Sequence, residues 1–186
     1  MVTGDSQGDS QGPGDGGSDP LIGRTLNGRF SILEPIGVGG MGRVYRAQQT
    51  PLDRVVALKV LNPTVPTRKD PGFQKRFLRE ASRSSKLRHP NTVTVIDYGQ
   101  TDDGIYYIAM EYLEGRTLGQ VLAETGPLPW ARALSIAQQI CRSLREAHNL
   151  GVVHRDLKPA NIMVLNESDQ DLVKVLDFGL VKSIAP

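Results

Sequence analysis

The sequence predicts an α+β chain of two lobes, a β-rich half followed by a mostly helical half, with a crevice between them. Three observations carry this prediction. Short β-branched or aromatic runs fill the stretch from Leu26 to Leu113. The longest helical pattern comes only afterwards, between Pro129 and Gly151. A dense polar cluster, His154 to Asn161, then sits between the apolar runs "GVV" and "IMV", where a plain surface turn is a poor explanation.

The elements follow in order. The opening "MVTGDSQGDSQGPGDGGSDP" repeats "GDSQ" and has almost nothing apolar to bury. It cannot offset its ordering entropy, so residues 1–25 are expected to be a disordered arm. Structure is expected from Leu26. "RFSILEPI" leads into "GVGGMG", and "RVYRA" resumes extended character. "RVVALKVL" is β-branched and bounded by Pro51 and Pro63, which reads as a buried strand. "FQKRFLREASRSSKLR" has helical spacing and good helix formers. "NTVTVIDYGQTDDGIYYIAMEYL" reads as two strands joined by a turn at Asp102–Gly104.

A hinge near Leu113–Thr117 then opens the helical half. Pro129 suits a first helical position, and Gly151 a helix stop. Between them Leu134, Ala137, Cys141, Leu144 and His148 share one helix face. "GVVH", "NIMVL" and "LVKVLDF" read as short strands or strand-like pieces.

Composition narrows the function. With 186 residues, 39% hydrophobic and 23% charged, a folded core is expected, in one domain or one and a half. The formal net charge is +2, and Asp5, Asp9, Asp15 and Asp19 concentrate acid in the arm, so the remainder is mildly basic. That suits an anionic small ligand, and no dense Lys/Arg stripe argues for nucleic acid. Cys141 is the only cysteine, so no intrachain disulfide forms, and a reducing, cytoplasmic setting fits. No apolar run approaches the roughly 18 residues of a membrane span, and the N-terminus shows no basic-then-apolar leader pattern.

The motifs supply chemistry. Gly37, Gly39 and Gly42 in "GVGGMG" match G-x-G-x-x-G, glycines that let backbone approach phosphate closely. A dinucleotide fold would open a helix there. Here Val44 to Ala47 read as a strand instead, so the glycines belong to a hairpin flap over a nucleotide. Lys59 interrupts an apolar strand and is costly to bury unpaired. It suits ATP α/β-phosphates, with Glu80 in "RFLREAS" as the carboxylate that orients it. Phosphoryl transfer needs an acceptor for the incoming hydroxyl proton, cations for developing charge and oxygen ligands for Mg²⁺. Asp156 suits the first role, Lys158 the second, and Asn161 with Asp177 the third.

The ordered set "GVGGMGRV", "VALK", "HRDLKPAN" and "DFG" resembles the protein-kinase family. "GGMG" and the "HPN" at His89–Asn91 are similar to bacterial serine/threonine kinases of the eukaryotic-like type. The resemblance implies a protein-kinase-like two-lobe fold, with the N-lobe and start of the hinge at 26–113 and the first part of the C-lobe at 114–186. It implies that Ile36, Gly37, Val38, Gly39, Gly40, Met41, Gly42, Arg43 and Val44 cover ATP, with Val44 and Ala57 above the adenine and Met163 below. Met110 would stand at the back of the pocket, and Glu111 and Leu113 would offer backbone hydrogen bonds. Lys59 would pair with Glu80. Lys158 favours Ser/Thr acceptors on protein substrates, Arg155 would answer a phosphorylated activation loop, and His154, His89 and His148 are structural.

The chain departs from the family at its end. After Gly179 come only seven residues, with no activation loop or A-P-E element, so the expectation is a truncated C-lobe. The "LSIAQQICRSL" helix should then carry unpartnered apolar surface. The parent is expected to be an active kinase, with a membrane anchor in a missing segment as one option, and the fragment weak or inactive. The competing class is a non-catalytic nucleotide-binding or interaction module.

Overall fold

The computed structural model describes residues 19–39, 42–61, 72–167 and 170–178. Gly40 and Met41 of the flap, Gly179, and the arm as far as residue 18 lie outside them.

The first half is one antiparallel sheet. Its strands are β1 (Thr25–Leu26), β2 (Phe30–Gly39), β3 (Gly42–Gln49), β4 (Arg54–Leu61), β5 (Val95–Gln100) and β6 (Tyr106–Glu111), in the order β1-β2-β3-β4-β6-β5. The two-residue period of β4 sorts its side chains. Val56, Leu58 and Val60 join Phe30, Tyr45 and Tyr107 on one face. Ala57 and Leu61 join Phe73, Phe77 and Met110 on the other. Lys59 falls on that second face by alternation, beside the residues expected to line the nucleotide.

Helix α1 (Phe73–Ser84) connects β4 to β5. It buries Phe73, Phe77, Glu80, Ala81 and Ser84, a helical stripe. Phe73 and Phe77 stack, and both meet the Tyr106 ring edge-on, with centroids 5.2 and 5.1 Å away. Burial of each ring stabilises by about 1.5–3 kcal/mol, and the edge contacts add about 0.5–1.5 kcal/mol each. This cluster holds the helix that carries Glu80 against the sheet that carries Lys59. The helix stops short of the expected Arg88. The Arg88 and His89 N–H groups both donate to the Glu146 carboxylate, which a continued helix could not allow.

The second half contains β7 (Arg116–Thr117), α2 (Leu118–Thr125), α3 (Trp130–Asn149), a 3-10 turn at Pro159–Asn161, β8 (Ile162–Glu167) and β9 (Gln170–Val175). A small sheet runs β7-β8-β9. Helix α3 ends with Gly151 at φ +70°, its N–H on the His148 carbonyl and the Val152 N–H on the Ala147 carbonyl. This is the glycine stop read from the sequence. Arg132 bonds both oxygens of Asp171 and fixes α3 along β9. The buried stripe of α3 is Ile136, Ser143 and Ala147. Of the face read from the sequence, Leu134, Ala137, Cys141 and His148 are exposed, while Leu144 packs on the Leu87–Phe178 cluster; Leu134 is 51% exposed and Trp130, at the helix start, 79%. Among the described residues the first half of the helix thus keeps apolar surface uncovered, as expected.

Two expectations need correction. "GVVH" forms no ladder; residues 151–154 are irregular, because the Gly151 and Val152 N–H groups are taken by the last carbonyls of α3. The folded body also begins by Asp19, not at Leu26. The Asp19 carboxylate takes the Leu21 N–H and two side chains of β3, which offset the entropy of ordering this segment.

The "HPN" segment fastens the halves together. Val93 N–H donates to the Val175 carbonyl and Val175 N–H to the Asn91 carbonyl. Asn91 Nδ2 donates to Val173 O and Gln139 Oε1, and the Thr92 and Ser143 hydroxyls are 2.6 Å apart.

Candidate active site

Lys59 Nζ lies 2.7 Å from Asp177 Oδ2. The two residues stand 118 positions apart. β4 supplies the amine from the small lobe, and the turn after β9 supplies the carboxylate from the large one. Asp177 has φ +57°, a left-handed backbone that is costly without glycine and often marks a functional turn. Phe178 beside it is buried among Leu87, Ala147, Val152 and Val175. Its ring meets His154 edge-on, and its carbonyl accepts from Ser84 Oγ at 3.0 Å. Helix α1 therefore touches the Asp177 turn directly.

The expected Lys59–Glu80 pair is not formed. Glu80 Oε1 accepts from Arg79 Nε at 3.2 Å and faces Arg83 NH1 at 3.6 Å. The reason is local: its own helix supplies two guanidiniums, while the left-handed Asp177 backbone aims the competing carboxylate at β4.

The "HRDLKPAN" stretch folds around its own side chains. Asp156 N–H donates to His154 Nδ1, which leaves Nε2–H to donate to the Leu176 carbonyl at 2.7 Å. His154 is buried and is a structural residue in this arrangement. Arg155 has φ +65°, a second strained residue beside the site. Asn161 Nδ2 donates to the Asp156 carbonyl at 2.8 Å and to its Oδ2 at 3.3 Å. Lys158 Nζ pairs with Asp156 Oδ2 at 2.8 Å. Leu176 N–H donates to the Asn161 carbonyl, so Asn161 is tied to the residue preceding Asp177. Asp156, Lys158, Asn161 and Asp177 are thereby one connected group, and Lys59 reaches it from the opposite lobe.

The donor set suits a hard cation. Asp177 offers a carboxylate, and the Asn161 amide, whose nitrogen is committed to Asp156, presents its oxygen away from that bond. Oxygen donors few in number fit Mg²⁺, which keeps several waters and takes the rest from phosphate. Among the described residues no group of three or more His, Cys, Asp or Glu gathers as a metal cage, in keeping with so sparse a set.

On the roof, Gly39 pairs with Gly42 and Gly37 with Val44 in the β2–β3 hairpin. A Cβ on Gly42 would stand 2.0 Å from the Val60 carbonyl, so this position admits only glycine. Val38 is exposed, Ile36 nearly half so, and Val44 packs toward Ala57 and Met110. Ala57 and Met110 are register partners on β4 and β6. Leu113 packs on the same cluster. Met163 alternates with the buried Ile162 and Val164 on β8, which puts it on the opposite face of that strand. Arg43, expected over the nucleotide, sends its guanidinium to Asp19 on the other side of the hairpin.

Lys174 escaped the sequence reading, and so did the role of the Glu111 carboxylate. Lys174 Nζ meets Glu111 Oε1 at 2.7 Å, and the same oxygen accepts from Thr94 N–H at 2.7 Å. The hinge is thus latched to β9. Lys174 in "LVKVL" breaks an apolar strand just as Lys59 does in "VALKV", so the same signal was present.

A glycine hairpin over a lysine-bearing strand, a latched hinge and a carboxylate–asparagine–lysine group facing them from the other half are the architecture of the protein-kinase class. The chain belongs to the protein kinase domain family, whose model matches residues 30–186. It is 46% identical over 166 residues to serine/threonine-protein kinase pkn3 of Myxococcus xanthus, covering 89% of this chain and 30% of that protein. It is 44% identical over 165 residues to serine/threonine-protein kinase PrkC of Bacillus subtilis, covering 89% and 24%. It superposes on the Mycobacterium tuberculosis PknI kinase domain with a TM-score of 0.75 and 32% identity, covering 88% of this chain and 64% of that one. The chain thus spans 30% or less of these two curated relatives. The family works with ATP and a divalent metal in general.

Proposed function

We propose that the whole protein transfers the γ-phosphate of ATP to Ser and Thr hydroxyls of other proteins. The observation that carries this reading is the 2.7 Å contact between Lys59 and Asp177 across the cleft, with Asp156, Lys158 and Asn161 bonded together beside it.

In this reading Asp177 and Asn161 hold Mg²⁺. The ion supplies shielding of phosphate charge when bound. Lys59 holds the α/β-phosphates, and Asp177, its resting partner, keeps the amine aimed into the cleft until nucleotide arrives. Asp156 accepts the hydrogen bond and then the proton of the acceptor hydroxyl, and Lys158 neutralises charge on the transferring group. Met110, Ala57, Val44 and Met163 enclose the adenine. Glu111 N–H is committed to the Thr94 carbonyl, so Glu111 offers its carbonyl and Leu113 its N–H. Glu80 takes its place on Lys59 only after leaving Arg79 and Arg83. A cytoplasmic setting supplies the ATP; among the described residues no helix is long and apolar enough to cross a membrane.

The Glu80–arginine contacts also favour a second reading, a module that binds nucleotide without turning it over. One assay separates the two. The whole protein, given Mg²⁺ and γ-labelled ATP with a generic basic protein, is expected to deposit label on Ser and Thr. Saturable Mg·ATP binding with no transfer supports the binding module instead, and no nucleotide binding overturns both.

A further inference from the structure

The segment Asp19–Arg24 crosses the outer face of the β2–β3 hairpin, opposite the nucleotide side. Its Leu21 packs on the cluster formed by Leu26, Phe30 and Tyr45. At its start, Asp19 Oδ2 accepts from Arg43 NH1 at 2.6 Å and from Tyr45 Oη at 2.9 Å, and Oδ1 accepts from Leu21 N–H at 3.0 Å. The Asp19 side chain is 10% exposed and that of Arg43 is 53%.

Arg43 directly follows Gly42, the residue that closes the hairpin against Gly39 and packs too tightly on Val60 for any side chain. Arg43 and Tyr45 share one face of β3, and Val44 between them takes the nucleotide face. The strap is also bonded to β2, the outgoing strand: Gly23 N–H donates to the Ile32 carbonyl and Ile32 N–H to the Arg24 carbonyl. Toward the tip of the hairpin a recess of about 420 Å³ opens, lined by Leu21, Val38, Tyr45, Val60, Leu61 and Ile105. Among the described residues, the strap's hydrogen bonds to β3, the return strand of the flap, all run through the Asp19 carboxylate.

Burial opposes ionisation of Asp19, but the Leu21 N–H, Arg43 and Tyr45 outweigh it and hold the carboxyl below its usual range. Burial and then the bond to Asp19 push the Tyr45 hydroxyl up, so it remains a donor. The clasp is fully formed at neutral pH.

We propose that Asp19 is a positioning residue for nucleotide binding: through Arg43 and Tyr45 it holds the root of the glycine flap from outside, so that Val44 and the flap backbone meet the bound ATP in register. The proposal rests on the reading of the cleft as an ATP site. Asp19 touches neither nucleotide nor substrate, and the groups that handle the acceptor hydroxyl lie in the other lobe. Its loss should therefore appear in ATP affinity and not in turnover.

The test uses the whole protein, with Mg·ATP affinity by calorimetry and steady-state kinetics side by side. Asp19→Ala is expected to raise Kd and KM for Mg·ATP about fivefold, with kcat within about twofold. Asp19→Asn keeps the size of the side chain but loses the charge and one of the two acceptor oxygens, so either Leu21 N–H or the Arg43–Tyr45 pair loses its acceptor, and it should show most of the rise. Because the Arg43 side of the pair is half-exposed, the ratio of variant to wild type should fall at about 0.5 M salt. Unchanged affinity in both folded variants at low salt, or a fall confined to kcat, overturns the proposal and leaves the ATP site standing. A wild-type protein that binds no Mg·ATP overturns the ATP reading and this proposal with it.

Discussion

Asp156→Asn is expected to lower kcat for protein phosphorylation by about 10²–10⁴-fold while Mg·ATP affinity changes only a few-fold. The substitution is nearly isosteric. The Asp156 backbone carbonyl, which accepts from Asn161 at 2.8 Å, is untouched. Its side-chain oxygen can still receive Lys158. What disappears is the negative charge that takes up the acceptor proton. The loop is held from outside Asp156 as well, by the His154 ring between the Asp156 N–H and the Leu176 carbonyl, so the fold should persist. Paired measurement of kcat and nucleotide Kd on the same preparations checks this. A variant that retains wild-type turnover removes Asp156 from the chemistry.

Asp177→Asn should act earlier, at nucleotide binding. The carboxylate is the only anionic donor in the proposed metal pair with Asn161. Its loss should weaken Mg·ATP binding about a hundredfold or more and abolish the difference between ATP affinity with and without Mg²⁺. It also changes the resting molecule. Lys59 is buried, and Asp177 is its ion-pair partner at 2.7 Å. Breaking a fully buried pair costs about 3–5 kcal/mol. The Asp177 side chain is 24% exposed, and an amide oxygen still accepts from the amine, so a loss of about 2 kcal/mol is expected in chemical denaturation. A variant as stable as wild type and as responsive to Mg²⁺ would contradict both the pairing and the metal role.

Much of this site was legible in the sequence because its motifs bring their chemistry with them. A glycine hairpin ahead of a lysine-bearing strand, and a polar run ahead of an Asp-Phe-Gly triplet, name the residues that the fold then brings together: Lys59 with Asp177, and Asp156 with Lys158 and Asn161. The β-then-α order placed the cleft between them. What stayed hidden depended on backbone angles and on distant partners. Glu80 was expected on Lys59, since spacing cannot show that Asp177 adopts a left-handed conformation or that Arg79 and Arg83 hold Glu80. The Asp19 clasp was invisible because a Gly/Asp/Ser-rich arm carries no periodicity, and nothing in its composition announces the tertiary contact of Asp19 with Arg43 and Tyr45. The start of α2 was readable but unread: Thr117 and Gln120 form a capping box, a spacing that precedes helices. Lys174 was readable by the argument already applied to Lys59. The outward face of α3 is a different lesson. Periodicity identifies an apolar face, but the faces of Leu134 and Ile136 are both apolar, and only packing shows that Ile136 is the one buried here.

The claim beneath all of this is that two lobes bring two amines, one amide and two carboxylates onto a single nucleotide triphosphate. The most direct measurement is a crystal structure of the protein with Mg²⁺ and a non-hydrolysable ATP analogue. The account predicts a metal between Asn161 Oδ1 and the Asp177 carboxylate, phosphate oxygens on Lys59 Nζ in place of Asp177, and Asp156 facing the γ-phosphate across open space for a hydroxyl. A nucleotide bound away from this cleft, with Lys59 still on Asp177 and no metal beside Asn161, would contradict it.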